Sequence, residues 1–198
     1  MGALVREMTE DDIDAVAAVR VRGWQVAYVG LVPQAHLDAM DVAEDADRRR
    51  EFFSRGLGDV VNLVAEEPGG GGAGGQVVGW ACFGPYREKD LPSGDAELYA
   101  LYVRPERFGA GIGHALLSET LRRLTERGFP RVRLWVVRGN ERAERFYARA
   151  GFAPDGGAES FDVEGVAVPE VRYARALPPS PTATPAPPPP SSPSAPST

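Results

Sequence analysis

Lysine is nearly missing from this 198-residue chain: Lys89 is the only one, although Lys and Arg together number 22. Such arginine usage points to a GC-rich bacterial genome. Positive charge is also in deficit, because 28 acidic side chains bring the formal net charge to -6. General nucleic-acid binding needs a basic footprint, so no nucleic-acid partner is expected. Cysteine is as scarce. Cys82 is alone, cannot form an internal disulfide, and in a predicted strand reads as a small buried hydrophobe. No apolar run reaches transmembrane length and no cationic, hydrophobic leader opens the chain. Met1-Gly2 resembles a myristoylation start, but Arg6 stands where that signal wants Ser or Thr. The expectation is a soluble cytoplasmic protein with no membrane partner and no metal.

What is present is enough for one domain. With 43% hydrophobic residues and no internal repeat, residues 1–177 suit a single globular unit. The segment 178–198 holds only Pro, Ser, Ala and Thr, with more than half of the 18 prolines. It has nothing to bury and is expected to be a disordered, partly polyproline tail. A proline-rich docking ligand is the alternative, but no basic residue flanks the prolines to orient it.

Leu4 to Met8 reads as a strand, and Thr9 as the cap of a helix whose first turn carries Glu10, Asp11 and Asp12. Ile13, Val16, Ala17 and Arg20 continue that helix toward Trp24. Trp24 and Tyr28 then stand at i,i+4 spacing, either packing two helices together or walling a pocket. Gln34 to Arg55 reads as one further helix with a charged, solvated face. Val60 to Ala65 and Gln76 to Phe83 are predicted strands joined by the glycine-rich run 68–75. That run leads into a strand, so it lacks the helix dipole an anion site needs.

The informative stretch is Ala96 to Phe152. Ala96–Val103 is predicted as a strand closed by Pro105; Gly109, Gly111 and Gly113 follow; then Leu116, Leu117, Thr120, Leu121 and Leu124 mark one helix face that stops at Gly128. A strand feeding a glycine turn into a helix start is an anion cradle, and a Cβ at Gly111 or Gly113 would obstruct a pyrophosphate. It is not a P-loop, because Gly113 is followed by His114 and Ala115. Nor is it the dinucleotide turn, whose third small residue would fall at Leu116. Arg131–Val137 is the next strand. Asn140 caps a helix that ends at Ala150 with Gly151 as its stop, and Phe161–Val163 and Val168–Leu177 read as an antiparallel pair. The order implies an α+β fold: a mixed, mostly antiparallel sheet of about seven strands with about four helices.

The run V-x-P-x-x-x-G-x-G-x-G, on Val103, Pro105, Gly109, Gly111 and Gly113, is followed by N-x-x-A-x-x-F-Y-x-x-x-G-F, on Asn140, Ala143, Phe146, Tyr147, Gly151 and Phe152. Together they resemble the two motifs of the Gcn5-related N-acetyltransferase (GNAT) superfamily. The resemblance covers residues 1–177. It implies acetyl-CoA as acyl donor, held by Leu101, Tyr102, Val103, Arg107, Phe108, Gly109, Ala110, Gly111, Ile112, Gly113, His114, Asn140 and Tyr147. In that family a pantetheine arm lies between two splayed strands, which here implies backbone pairing with Leu101 and Val103. One position departs: the family's usual Gln or Arg is Phe108, leaving Arg107 or bare backbone amides to meet the phosphates. By resemblance Tyr147 is the acid that protonates the leaving thiolate, with its neighbour Phe146 turned to the core. Glu97 is the candidate base, directly or through a water, or else a solvated surface group. Trp24 and Tyr28 would line the acceptor site. The reading is transfer of an acetyl group to a small-molecule or peptide amine by a monomer or homodimer. A CoA-binding regulatory module without turnover and a protein N-terminal acetyltransferase are the alternatives.

Overall fold

The structure, a computed structural model, describes residues 2–55, 58–68, 75–87 and 94–180. The glycine-rich run and the Pro-rich tail expected from the sequence lie largely outside these residues. Seven strands form one sheet: β1 (Leu4–Glu7), β2 (Val61–Glu67), β3 (Gln76–Pro85), β4 (Ala96–Val103), β5 (Arg131–Val137), β6 (Ala153–Val163) and β7 (Val166–Ala176). Their order is β1-β2-β3-β4-β5-β7-β6. Every neighbouring pair is antiparallel except β4 and β5, which run parallel and are joined through a helix. The mixed α+β architecture is the expected one.

Five helices flank the sheet: α1 (Ile13–Ala27), α2 (Gln34–Ala39), α3 (Val42–Ser54), α4 (Ile112–Glu126) and α5 (Glu141–Arg149). On one face α4 buries Ile112, Leu116, Leu117 and Leu124 against Leu63, Ala81, Leu98 and Leu134. That is the apolar stripe legible in its three- and four-residue spacing. On the other face α1 packs Val16 and Val19 on Val64, Val77 and Trp80. None of the helices among the described residues is long and apolar enough to cross a membrane.

The single helix expected over Gln34–Arg55 is two. Met40 is extended at ψ 122°, and Asp41 restarts the chain as an N-cap, its carboxylate accepting from the amides of Ala43 at 2.8 Å and Glu44 at 3.0 Å. An aspartate outside the helix offers these orphan donors an acceptor, which a residue inside it cannot.

The closing hairpin is longer than expected. Its turn residues Glu164 and Gly165 both hold positive φ, 53° and 84°, the geometry that suits a two-residue hairpin. β6 begins eight residues earlier than its sequence suggests, because Ala153–Ser160 carries Pro, Asp and Gly on an exposed edge. A register shift between Pro154 and Ala158 twists that edge, a feature that discourages pairing with other chains.

Candidate active site

The site arises where the sheet divides. Along β3 the pairing slips between Cys82 and Phe83, which face Ala100 and Leu98, so Tyr99 is an extra, bulged residue on β4. A bulge adds twist to its strand. β4 stays paired with β3 as far as Val103, yet it meets β5 only at Ala96–Val132 and Glu97–Arg133. Beyond those two pairs the strands fork. A cavity of about 540 Å³ fills the fork, bounded by Leu98–Val103 of β4, Trp135–Val137 of β5, the glycine turn and α5. Among the described residues the β4 edge facing this gap has no strand partner, so it can take an extended ligand as a surrogate strand.

At one end stands the turn. Gly109 and Gly111 hold φ of 81° and 84°, which L side chains rarely adopt, and a Cβ on either would meet nothing within 4 Å. Gly111 is also the N-cap of α4, and no side chain caps the helix. Orphan amides and open space therefore meet at this end of the cavity. Gly113 lines the cavity as well but differs: its Cβ would rest 3.5 Å from the Phe146 ring, an ordinary contact, so its place is in the packing of α4 on α5.

The charge expected from Arg107 is already engaged, since its Nε donates to Glu67 at 2.7 Å. Phe108 instead carries a cation on its ring: the Arg142 guanidinium lies 3.2 Å from the centroid. Partial burial lowers the pKa of Arg142, and among the described residues no carboxylate opposes it. Arg107, His114, Arg142, Arg145 and Arg149 all line the cavity. A basic mouth thus sits on an acidic protein. Arg142 escaped the sequence reading, although its place two residues after the cap Asn140 puts it on the first turn of α5. Asn140 caps as expected, Oδ1 accepting from the Ala143 amide at 3.1 Å, and His114 lies 3.4 Å from the Ser118 hydroxyl on the exposed side of α4.

Three phenols also line the cavity. Tyr147 is 9% exposed, with its ring edge-on to Phe146 at 5.1 Å and Phe152 at 5.7 Å. The expected division is not made: Tyr147 is the more buried of the pair, Phe146 is half-buried, and both line the cavity. Burial, then the nearby Tyr102, pushes the Tyr147 pKa well above that of a free phenol. Tyr28 and Tyr102 lie with their hydroxyls 3.4 Å apart, and burial raises both of their pKas too. All three stay protonated near neutrality and can donate.

Leu101, Tyr102, Val103, Arg107, Phe108, Gly109, Gly111, Ile112, Gly113, His114, Asn140, Tyr147 and Tyr28 all line the cavity. Ala110, Trp24 and Glu97 do not. Trp24 backs Tyr28 edge-on at 4.8 Å, within an apolar cluster containing Leu37 and Val137. Its buried indole N–H lacks a hydrogen-bond partner of good geometry, though its nearness helps lower the Tyr102 pKa. Glu97 is neither a solvated surface group nor a free base. It is 3% exposed and gripped by Arg87, through Nη2 at 2.7 Å and the backbone amide at 3.3 Å. Burial pushes the Cys82 thiol up to about 12, which leaves it inert. Among the described residues no three metal-ligating side chains converge.

This arrangement has counterparts. Residues 34–152 match the sequence profile described as the acetyltransferase (GNAT) family. The chain is 33% identical over 168 residues to the uncharacterized N-acetyltransferase YuaI of Bacillus subtilis, covering 84% of this chain and 89% of that protein. The PaiA N-acetyltransferase of Thermoplasma acidophilum, solved with coenzyme A, shares the fold at a TM-score of 0.67 and 20% identity, over 89% of this chain and 100% of that one. A phosphinothricin acetyltransferase of Sinorhizobium meliloti, solved with AcCoA, does so at 0.65 and 23% identity, over 89% of each chain. The forked sheet, the glycine cradle and these matches lead to one conclusion: the chain belongs to the GNAT family of acetyltransferases.

Proposed function

We propose that this protein is an acyl-CoA-dependent N-acyltransferase that moves an acetyl group from acetyl-CoA to a primary amine within a ternary complex. The observation that carries the reading is the fork between β4 and β5, which opens a slot of about 540 Å³ lined by both the glycine cradle and Tyr147. The residues fit the donor. Open space at Gly109 and Gly111 and the uncapped start of α4 suit a pyrophosphate, Arg142 supplies a cation, and the unpaired β4 edge suits a pantetheine amide. When bound, the donor supplies an activated thioester.

The chain's own groups do the rest. Backbone amides on β4 hold the donor and polarise its carbonyl as negative charge builds on oxygen. Tyr147, kept neutral by burial, gives its proton to the departing sulfur. Apolar walls from Leu98, Val136 and Ile112 exclude water, so attack by the amine is favoured over hydrolysis. The acceptor enters from the Tyr28 side.

The test is calorimetric titration of the full chain with acetyl-CoA, followed by thiol release across a panel of primary amines and short peptides. The reading predicts a single site for acetyl-CoA and amine-dependent thiol release. Binding without turnover for any acceptor would leave a CoA-binding module in its place.

A further inference from the structure

If Glu97 is held by Arg87, the amine needs another group to deprotonate it. The α1 face of the sheet carries one. Along β7, Val171 and Tyr173 point into the α4 core while Val168 packs beside Trp24 and Tyr28, so by strand alternation Glu170 faces the same side as Tyr28. Its Cα pairs with Val137 of β5, a wall of the cavity, and with Glu159 of β6. Its carboxylate is close enough to the phenols of Tyr28 and Tyr102, which also line the cavity, to raise the pKa of each. Half-buried, it makes no hydrogen bond or ion pair among the described residues.

We propose that Glu170 is the general base that takes a proton from a cationic primary amine arriving on the α1 face of the fork. The assignment rests on the acyltransferase reading above. One proton passes from the ammonium to the Glu170 carboxylate and on to solvent. The freed nitrogen forms the C–N bond, the C–S bond breaks as Tyr147 protonates the sulfur, and the second amine proton restores the Tyr147 phenol. One amide, one thiol and one released proton result.

The surroundings suit a base that works near neutrality. Burial, then Glu159 and Glu97, push Glu170 up to about 7. The groups nearest it are Glu159 from β6, Glu97 and Tyr102 from β4, and Tyr28 from α1; the cations on this face are paired elsewhere, Arg20 with Asp45 at 2.6 Å and Arg87 with Glu97 at 2.7 Å. On its own strand Arg172 is turned to Asp155 at 2.9 Å and to Tyr86 at 3.0 Å. From α2, His36 is occupied by Glu164 at 3.1 Å. Among the described residues no cation pairs with Glu170.

The experiment compares wild type with Glu170→Gln, using the best alkylamine from the panel and methoxyamine, which is already neutral at pH 7. For the alkylamine, kcat should fall by roughly 10²- to 10⁴-fold, the range of a positioned base. The wild-type loss of kcat/KM below about pH 7 should disappear from the variant. Methoxyamine should lose less than the alkylamine, and acetyl-CoA affinity should not change. Folding is controlled by melting temperature, which removal of an unpaired carboxylate should not lower at pH 8. An alkylamine rate within threefold of wild type, or equal losses for both amines, would overturn the proposal. So would a rise in KM alone, which would leave Glu170 as a docking group. If wild type releases no thiol with any amine, the acyltransferase reading falls first and this base with it.

Discussion

At the scale of single residues, chemistry and binding separate on two side chains. Tyr147→Phe removes one oxygen and keeps the ring that packs on Phe146 and Phe152. If that oxygen delivers the proton to sulfur, kcat should drop by roughly 10²- to 10⁴-fold while calorimetric affinity for acetyl-CoA stays put. A parallel collapse of affinity would recast it as a binding residue. Arg142→Ala should do the reverse, weakening acetyl-CoA by about tenfold with kcat preserved, the loss of one partly desolvated cation. Arg142→Lys should recover only part, since a lysine cannot stack flat on Phe108. Tyr147 was legible because it sits inside a motif. Arg142 and Glu170 were not. Each is defined by what lies opposite it in space, Phe108 for one and Val137 for the other, and neither neighbour is near in sequence. Glu97 shows the converse: a carboxylate on the right strand whose partner, Arg87, could not be read from the letters.

Among the elements, the strands and helices with strong periodicity fall where the sequence puts them: β4 and β5 match to the residue, and α4 carries its leucine stripe inward. The misjudged elements are those whose boundaries rest on single polar contacts or on an exposed edge. Asp41 is the clearest case, because its cap splits one expected helix into α2 and α3. Asp41→Ala should therefore cost about 1 kcal/mol of stability, read as a shift in denaturant midpoint without a change in slope. A neutral result would mean that packing of Ala46 against Ile13 and Ala17 alone holds the break. The Tyr99 bulge is a second such boundary, written only in the slip between β3 and β4.

For the molecule as a whole, an acidic chain of net charge -6 presents a mouth with four arginines, of which Arg107 is paired with Glu67 and Arg145 with Glu141, leaving Arg142 and Arg149 to carry its positive charge. Association with a polyanionic donor should slow as ionic strength rises from about 0.02 to about 0.5 M, because the Debye length shrinks from roughly 20 Å to a few ångströms. Stopped-flow rates independent of salt would show that the arginines do not steer. The fork itself has one more consequence. With β4 and β5 joined at two residue pairs, the one sheet has a seam, β1–β4 on one side and β5, β7 and β6 on the other. A ligand laid along the seam is then a missing strand, and its supply becomes part of what keeps the protein whole. At a hundred times its dissociation constant a ligand adds about 2.7 kcal/mol to the folded state. Added acetyl-CoA should therefore raise the melting temperature of the full chain and slow its proteolysis.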